Sequence, residues 1–100
     1  MPRQIVFNSE ARLEFEDAVA WCNECRPGSG QELEFEVQKT LDRIIENPER
    51  FRLVGPTIPQ ARLKKFHRYS IYFHVERDFI GVVAIFHSSR EPAQLQRHLR

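Results

Sequence analysis

Apolar positions recur at helical spacing in the first half of the chain and at alternate positions in the second. Ala11, Phe15, Ala18, Cys22 and Cys25 fall 4, 3, 4 and 3 residues apart. That is one stripe of a 3.6-residue helix, with Val19 on its flank. Asn8 or Ser9 stands where an N-cap belongs, and Arg26-Pro27-Gly28 stops the helix. Leu13 and Ala20 lie opposite the stripe, and Trp21 lies at its edge. Ser29-Gly30-Gln31-Glu32 reads as a capping box, with Ser29 at N-cap and Glu32 at N3. A second helix follows, with Leu33, Val37, Thr40, Leu41 and Ile44 on one face and Phe35 opposite them. It ends at Asn47-Pro48, because the residue before a proline avoids helical angles. So short a connection makes the two helices an antiparallel hairpin.

Strands flank this hairpin. Arg3 to Phe7 carries the strand formers Ile5, Val6 and Phe7. Glu49 to Gln60, with Gly55, Pro56 and Pro59, reads as a linker. After it the period becomes two. Ala61 to Phe66 is expected to be a basic strand. Tyr69 to Glu76 is an aromatic one, with Ile71, Phe73 and Val75 on one face and Tyr72 and His74 on the other. Arg77-Asp78 makes the hairpin turn. Phe79 to His87 is nearly all apolar, as in a central strand covered on both sides. Leu95 and Leu99 are spaced for one or two helical turns within Ala93 to Leu99. The order β-α-α-β-β-β predicts an α+β fold, in which a helical hairpin packs on a mostly antiparallel sheet.

Length and composition narrow the class. The chain has 100 residues, 41% hydrophobic and 29% charged, with 4 Gly and 6 Pro. This fits one domain over residues 1–100 with one modest core and excludes a disordered or collagenous chain. The longest apolar run, Phe79 to Phe86, is too short to cross a bilayer. Met1-Pro2-Arg3-Gln4 lacks a secretory leader's apolar stretch. A cytoplasmic protein, away from membranes, is the expectation. Net charge is +1 overall, but residues 1–50 hold 6 Lys/Arg and 11 Asp/Glu, whereas residues 51–100 hold 9 and 3. Such polarity suits a basic face for a polyanion or an acidic partner, or simply acidic helices beside a basic sheet.

Cys22 and Cys25 form a C-x-x-C pair, a spacing found in redox and zinc sites. No second pair follows, and His67, His74, His87 and His98 are scattered downstream. The stripe points both thiols at the core, where cysteine behaves as a small hydrophobe. Both are expected to be buried and reduced, since neighbouring turns of one helix rarely meet disulfide geometry. No metal or cofactor is implied. The glycines make no phosphate loop, and Ser88 and Ser89 beside His87 make no triad.

Several strings together are similar to the RelE/ParE superfamily, the small toxins of bacterial toxin–antitoxin pairs often labelled plasmid-stabilisation proteins. They are Ala18-Val19-Ala20-Trp21, Asn47-Pro48-Glu49-Arg50-Phe51, and Tyr69-Ser70-Ile71-Tyr72-Phe73 leading to Val82-Val83-Ala84-Ile85-Phe86-His87 with Arg90 and Pro92. The resemblance spans essentially the whole chain and implies a toxin held inactive by a cognate antitoxin. RelE-like members cut mRNA on the ribosome; ParE-like members inhibit DNA gyrase. Position 22 is Cys where relatives often show Tyr. No aromatic lies in Ser88 to Arg100, where RelE-like nucleases often carry a catalytic Tyr. The string Phe86-His87-Ser88-Ser89-Arg90-Glu91-Pro92 resembles the ParE branch. The resemblance therefore implies a gyrase inhibitor first, with a ribosome-dependent endoribonuclease acting on mRNA, or a relative that only binds antitoxin, as alternatives.

The nuclease alternative needs an acid, a base and a cation at the phosphate. Lys64, Lys65, Arg68, His74, His87 and Arg90 are of the right types. Neighbouring antiparallel strands could bring His74 and His87 together, and imidazole titrates near neutrality. Equally, His74 could lie on a solvated face and His87 simply end a strand. For partner binding, Leu13 and Phe35 are the off-stripe apolar residues of the helix pair. Arg62 and Lys64 share one face of the basic strand. That strand could be a docking patch, with Arg90 nearby in the pattern, or a charged edge that discourages aggregation.

Overall fold

Asn8 ends the first strand and starts the first helix in one step. Its side-chain Oδ1 accepts the Ala11 N–H at 2.7 Å, satisfying one of the donors a helix leaves open at its N-terminus. In the computed structural model, which describes residues 3–55 and 57–87 apart from the side chain of Phe86, strand β1 (Gln4–Phe7) leads into helix α1 (Ser9–Cys25). Helix α2 (Ser29–Glu46) follows, then a single 3₁₀ turn over Pro48–Arg50. Strands β2 (Leu53–Val54), β3 (Ile58–Arg62), β4 (Tyr69–Val75) and β5 (Phe79–His87) complete the sheet. Their order across it is β1-β5-β4-β3-β2. β1 runs parallel to β5, and every other pairing is antiparallel. The α+β arrangement of a helix pair on a mostly antiparallel sheet is the one the sequence pattern predicts.

The stripe of α2 is buried as expected, with Leu33, Val37, Thr40, Leu41 and Ile44 all closed to solvent. The apolar four meet Ala61, Ile71, Phe73, Ile80, Val82 and Ile85 from the sheet and Leu63 just beyond β3. A second, smaller apolar group lies on the face away from the helices, where Tyr72 and Ala84 are fully buried against Val54, Ile58 and Val83. The two faces of β4 divide as its alternation predicts.

Three local expectations are corrected. Cys22 is buried but Cys25 is exposed, and both thiols are free. The stripe continues through Cys25, but this is the last residue of α1 and the chain turns away at once, so its position faces no packed partner. Burial pushes the Cys22 thiol up from its ordinary pKa, with hydrogen bonds from Tyr69 and Ser29 offsetting part of the effect. A raised pKa keeps it a thiol and a poor nucleophile at neutral pH. The second correction is at the start of α2. Gly28, at φ 90°, is the N-cap and no side chain caps the helix. Ser29 lies inside the helix and is buried, while Glu32 pairs with Arg26 at 2.9 Å and Lys65 at 3.3 Å. Only a residue without a Cβ adopts this φ without strain, so the tight reversal puts glycine where the capping serine was expected.

The third concerns the basic strand. β3 covers Ile58–Arg62, not Ala61 to Phe66, and the stretch read as a linker contributes most of it. Pro59 lies opposite Leu53 of the two-residue strand β2. A proline is tolerated beside so short an edge because little of the ladder is lost. Lys64 to Arg68 therefore lie in a loop. The expected turns within Ala93 to Leu99 lie outside the described residues.

β4 and β5 hold an irregularity that ties the helices to the sheet. Tyr72 pairs with Ala84 and Phe73 with Val82, so Val83 is the extra residue of a β-bulge. Two residues on, the Ile85 N–H donates to Glu14 Oε1 of α1 at 3.0 Å. Replacing Glu14 by Ala is expected to lower stability by about 1–3 kcal/mol, because it removes the charged acceptor of a partly buried donor. Urea unfolding checks this: the midpoint should fall at unchanged slope.

Candidate functional site

The loop of residues 63–68 is built from both ends. The Leu63 N–H donates to the Tyr69 carbonyl at 3.1 Å and the Tyr69 N–H to the Phe66 carbonyl at 2.8 Å. Leu63 is fully buried and anchors the loop in the core. From α2, the nearly buried Glu36 carboxylate accepts the Lys65 N–H at 3.3 Å and lies 3.5 Å from Lys39 Nζ. The loop is thus clamped between α2 and the sheet, with Lys64, Lys65, His67 and Arg68 held outward. Lys65, Phe66, His67, Arg68 and Tyr69 join His87, the last residue of β5, around an open cavity of about 230 Å³. The Tyr69 and His87 rings meet edge to face at 5.1 Å.

A second groove, of about 480 Å³, adjoins the loop along α2 and is lined by Phe35, Lys39, Glu32, Glu36 and Lys65 among others. Phe35 is 66% exposed, and Lys39 Nζ sits 5.4 Å from its ring centre. Leu13 is exposed on α1 but lines neither this groove nor the one beside Phe7, Arg12 and Phe15.

The candidate residues scatter more than they gather. Arg68 and His87 share the cavity, whereas Lys64 is exposed on the loop and Arg62 ends β3 outside it. Arg90 lies outside the described residues. His74 is elsewhere, and here the expected proximity of the two histidines is corrected. Strand register sets His74 opposite Gly81 and His87 opposite Tyr69. Five residues separate Tyr69 from His74, about 17 Å along a strand. The faces differ too: Tyr69 belongs to the core under the helices, while His74 shares the other face with Tyr72.

His74 is also occupied where it stands. Its Nδ1 lies 2.7 Å from Glu76 Oε2, and its ring meets Phe79 at 5.9 Å, near perpendicular. The imidazole lies over Gly81, where any Cβ would overlap it. Among the described residues, Lys64, His67 and Arg68 make no ion pair. No group of three His, Cys, Asp or Glu that could hold a metal is gathered among the described residues. No helix among them is long and apolar enough to cross a membrane.

Sequence reasoning reaches Lys65, Arg68 and His87 as candidates but not Phe66, His67 and Tyr69. A signal was present, because Lys64-Lys65-Phe66-His67-Arg68-Tyr69 mixes cations with rings. Reading the segment as a strand split it between two faces; folded as a loop, it brings most of it to one cavity.

Comparison with known proteins gives this geometry a family. No curated protein matches the chain significantly. Among solved structures, one described as the chromosomal ParDE TA system from P. aeruginosa superposes with a TM-score of 0.74 at 11% identity, over 85% of this chain and 95% of that one. At that identity the likeness speaks for the fold. The family model described as ParE toxin of type II toxin-antitoxin system, parDE, matches residues 5–92, nearly all of the strands, helices and loop described above, and the chain belongs to that toxin family.

Proposed function

We propose that this ParE-family chain acts in the cytoplasm by binding DNA gyrase and inhibiting it, without cutting RNA, and that a cognate antitoxin neutralises it by direct binding. The observation that carries the reading is the β4–β5 register. Acid–base cleavage needs both proton-transfer groups within reach of one phosphate. His74 and His87 lie about 17 Å apart along the strands and on opposite faces, so they cannot serve one phosphate together. The absence of any aromatic in residues 88–100 and the ParE-like string from Phe86 to Pro92 support the same reading. Phe35 in its groove and the basic loop that carries Lys64, with Arg62 beside it, offer surface for binding partners.

Purified chain added to gyrase is expected to suppress supercoiling in a dose-dependent way and to leave translated mRNA intact. His74→Ala should inhibit within about threefold of the parent, whereas a general acid or base would contribute about 10²–10⁴-fold. Codon-phased mRNA cuts that vanish in His74→Ala or His87→Ala would overturn the reading in favour of a nuclease. Loss of growth arrest on co-expression of the adjoining open reading frame tests neutralisation. Antitoxin binding with neither activity would mark a relative that has lost its target.

A further inference from the structure

Residues 63–68 place cations and rings side by side on a loop whose backbone is pinned at both ends. We propose that the cavity between this loop and the end of β5 binds single-stranded DNA, with one nucleotide seated in it. Its lining is Lys65, Phe66, His67, Arg68, Tyr69 and His87, two cations and four rings without a carboxylate among them. A nucleotide presents a phosphate that cations attract and a flat base that stacks on rings or a guanidinium plane. An acidic peptide would satisfy the cations but leave the rings unused. A duplex hides its base faces in its own stack, so the exposed His67 and the half-buried Phe66 and His87 fit a single strand.

Charge and order support the site. Lys65 Nζ is committed in part to Glu32 at 3.3 Å, which leaves Arg68, with no ion pair among the described residues, as the main cation for a phosphate. Lys64 on the loop and Arg62 at the end of β3, both exposed, extend the positive track along which a strand would run. The pinned backbone means little ordering is needed on binding, and preorganisation favours affinity. Only the choice of DNA over RNA rests on the gyrase reading, since gyrase opens DNA strands.

Fluorescence anisotropy of a labelled oligothymidylate titrated with the purified chain, without gyrase, tests this. Binding is expected at low salt, with a log–log salt slope of about −1.4 if two phosphates are contacted. Arg68→Ala should weaken it about tenfold, and His67→Ala about fivefold, through lost charge and stacking. Both residues are exposed, and circular dichroism confirms that the variants fold. Arg77→Ala, at the β4–β5 turn and the far end of the strands, should bind as the parent does. No binding at low salt, or equal weakening by Arg77→Ala, would overturn the proposal. So would tighter binding of an oligouridylate, which assigns the corner to RNA, or displacement by an oligoglutamate at lower concentration than by unlabelled strand, which assigns it to an acidic protein. Strand binding without gyrase inhibition would overturn the gyrase reading alone, and inhibition without strand binding would overturn this proposal alone.

Discussion

Replacing Phe73 by Ala is expected to remove about 3–5 kcal/mol of stability, the range for emptying a buried aromatic site. Phe73 is fully buried on β4, which has β3 on one side and β5 on the other. Its ring meets Phe51 edge to face at 5.7 Å. Phe51 in turn lies beneath the guanidinium groups of Arg43 and Arg50, at 5.6 and 5.4 Å. Truncation therefore opens a cavity where the sheet, the end of α2 and the 3₁₀ turn meet, and the bulge beside Phe73 limits how far the strands can close over it. Domains of this size hold about 5–15 kcal/mol in all, so the loss takes a large share of the total and the thermal midpoint should fall by about 12–40 °C. Phe35→Ala makes the same chemical change at an exposed site and should shift stability by no more than about 0.5 kcal/mol. Equal losses in urea unfolding for the two variants would mean that the inward face of β4 has been misplaced.

Gly30→Ala is expected to destabilise the chain, against what helix propensity alone predicts. Gly30 lies inside α2, where alanine is intrinsically better by about 1 kcal/mol. Its Cα, however, faces α1, and an added Cβ would stand 2.7 Å from the Val19 carbonyl oxygen. The Gly30 N–H also donates to Asn23 Oδ1 at 2.9 Å, a bond that would stretch as the helices part. A clash with a side-chain tip relaxes by rotation; one with a helix carbonyl moves a whole helix. Overpacking of this kind costs about 1–3 kcal/mol, so Ala should come out slightly unstable and Val lower by about 3 kcal/mol. Thermal melts of the two variants decide the sign. A raised midpoint for Gly30→Ala would show that the hairpin opens freely.

Much of the fold was legible in the order of residues because it is local. The stripes of α1 and α2 follow from a period of 3.6 residues, and the buried strand β5 from an unbroken apolar run. Asn8 and Pro48 set helix boundaries through their own backbone chemistry. Where the local signal was ambiguous, the outcome went the other way. Pro59 looked like a linker residue and stands in β3 because its neighbour is a two-residue strand. Ser29 had the sequence of an N-cap, yet the reversal needed a left-handed residue one position earlier.

The candidate site was legible only as residue types. Lysines, arginines and histidines in the second half announced chemistry suited to anions, but not which of them meet. The sequence by itself determined the helix pair, strands β1, β4 and β5 and the basic character of the segment from Lys64 to Arg68, since each depends on neighbours a few positions away. The tertiary structure alone decided that His74 and His87 are separated and that Arg68 meets His87. It alone decided that Gly30 packs against α1, where a Cβ would meet Val19 and Asn23. Those outcomes depend on strand register and helix contact, which link residues 7 to 19 positions apart and which a one-residue slip would reverse.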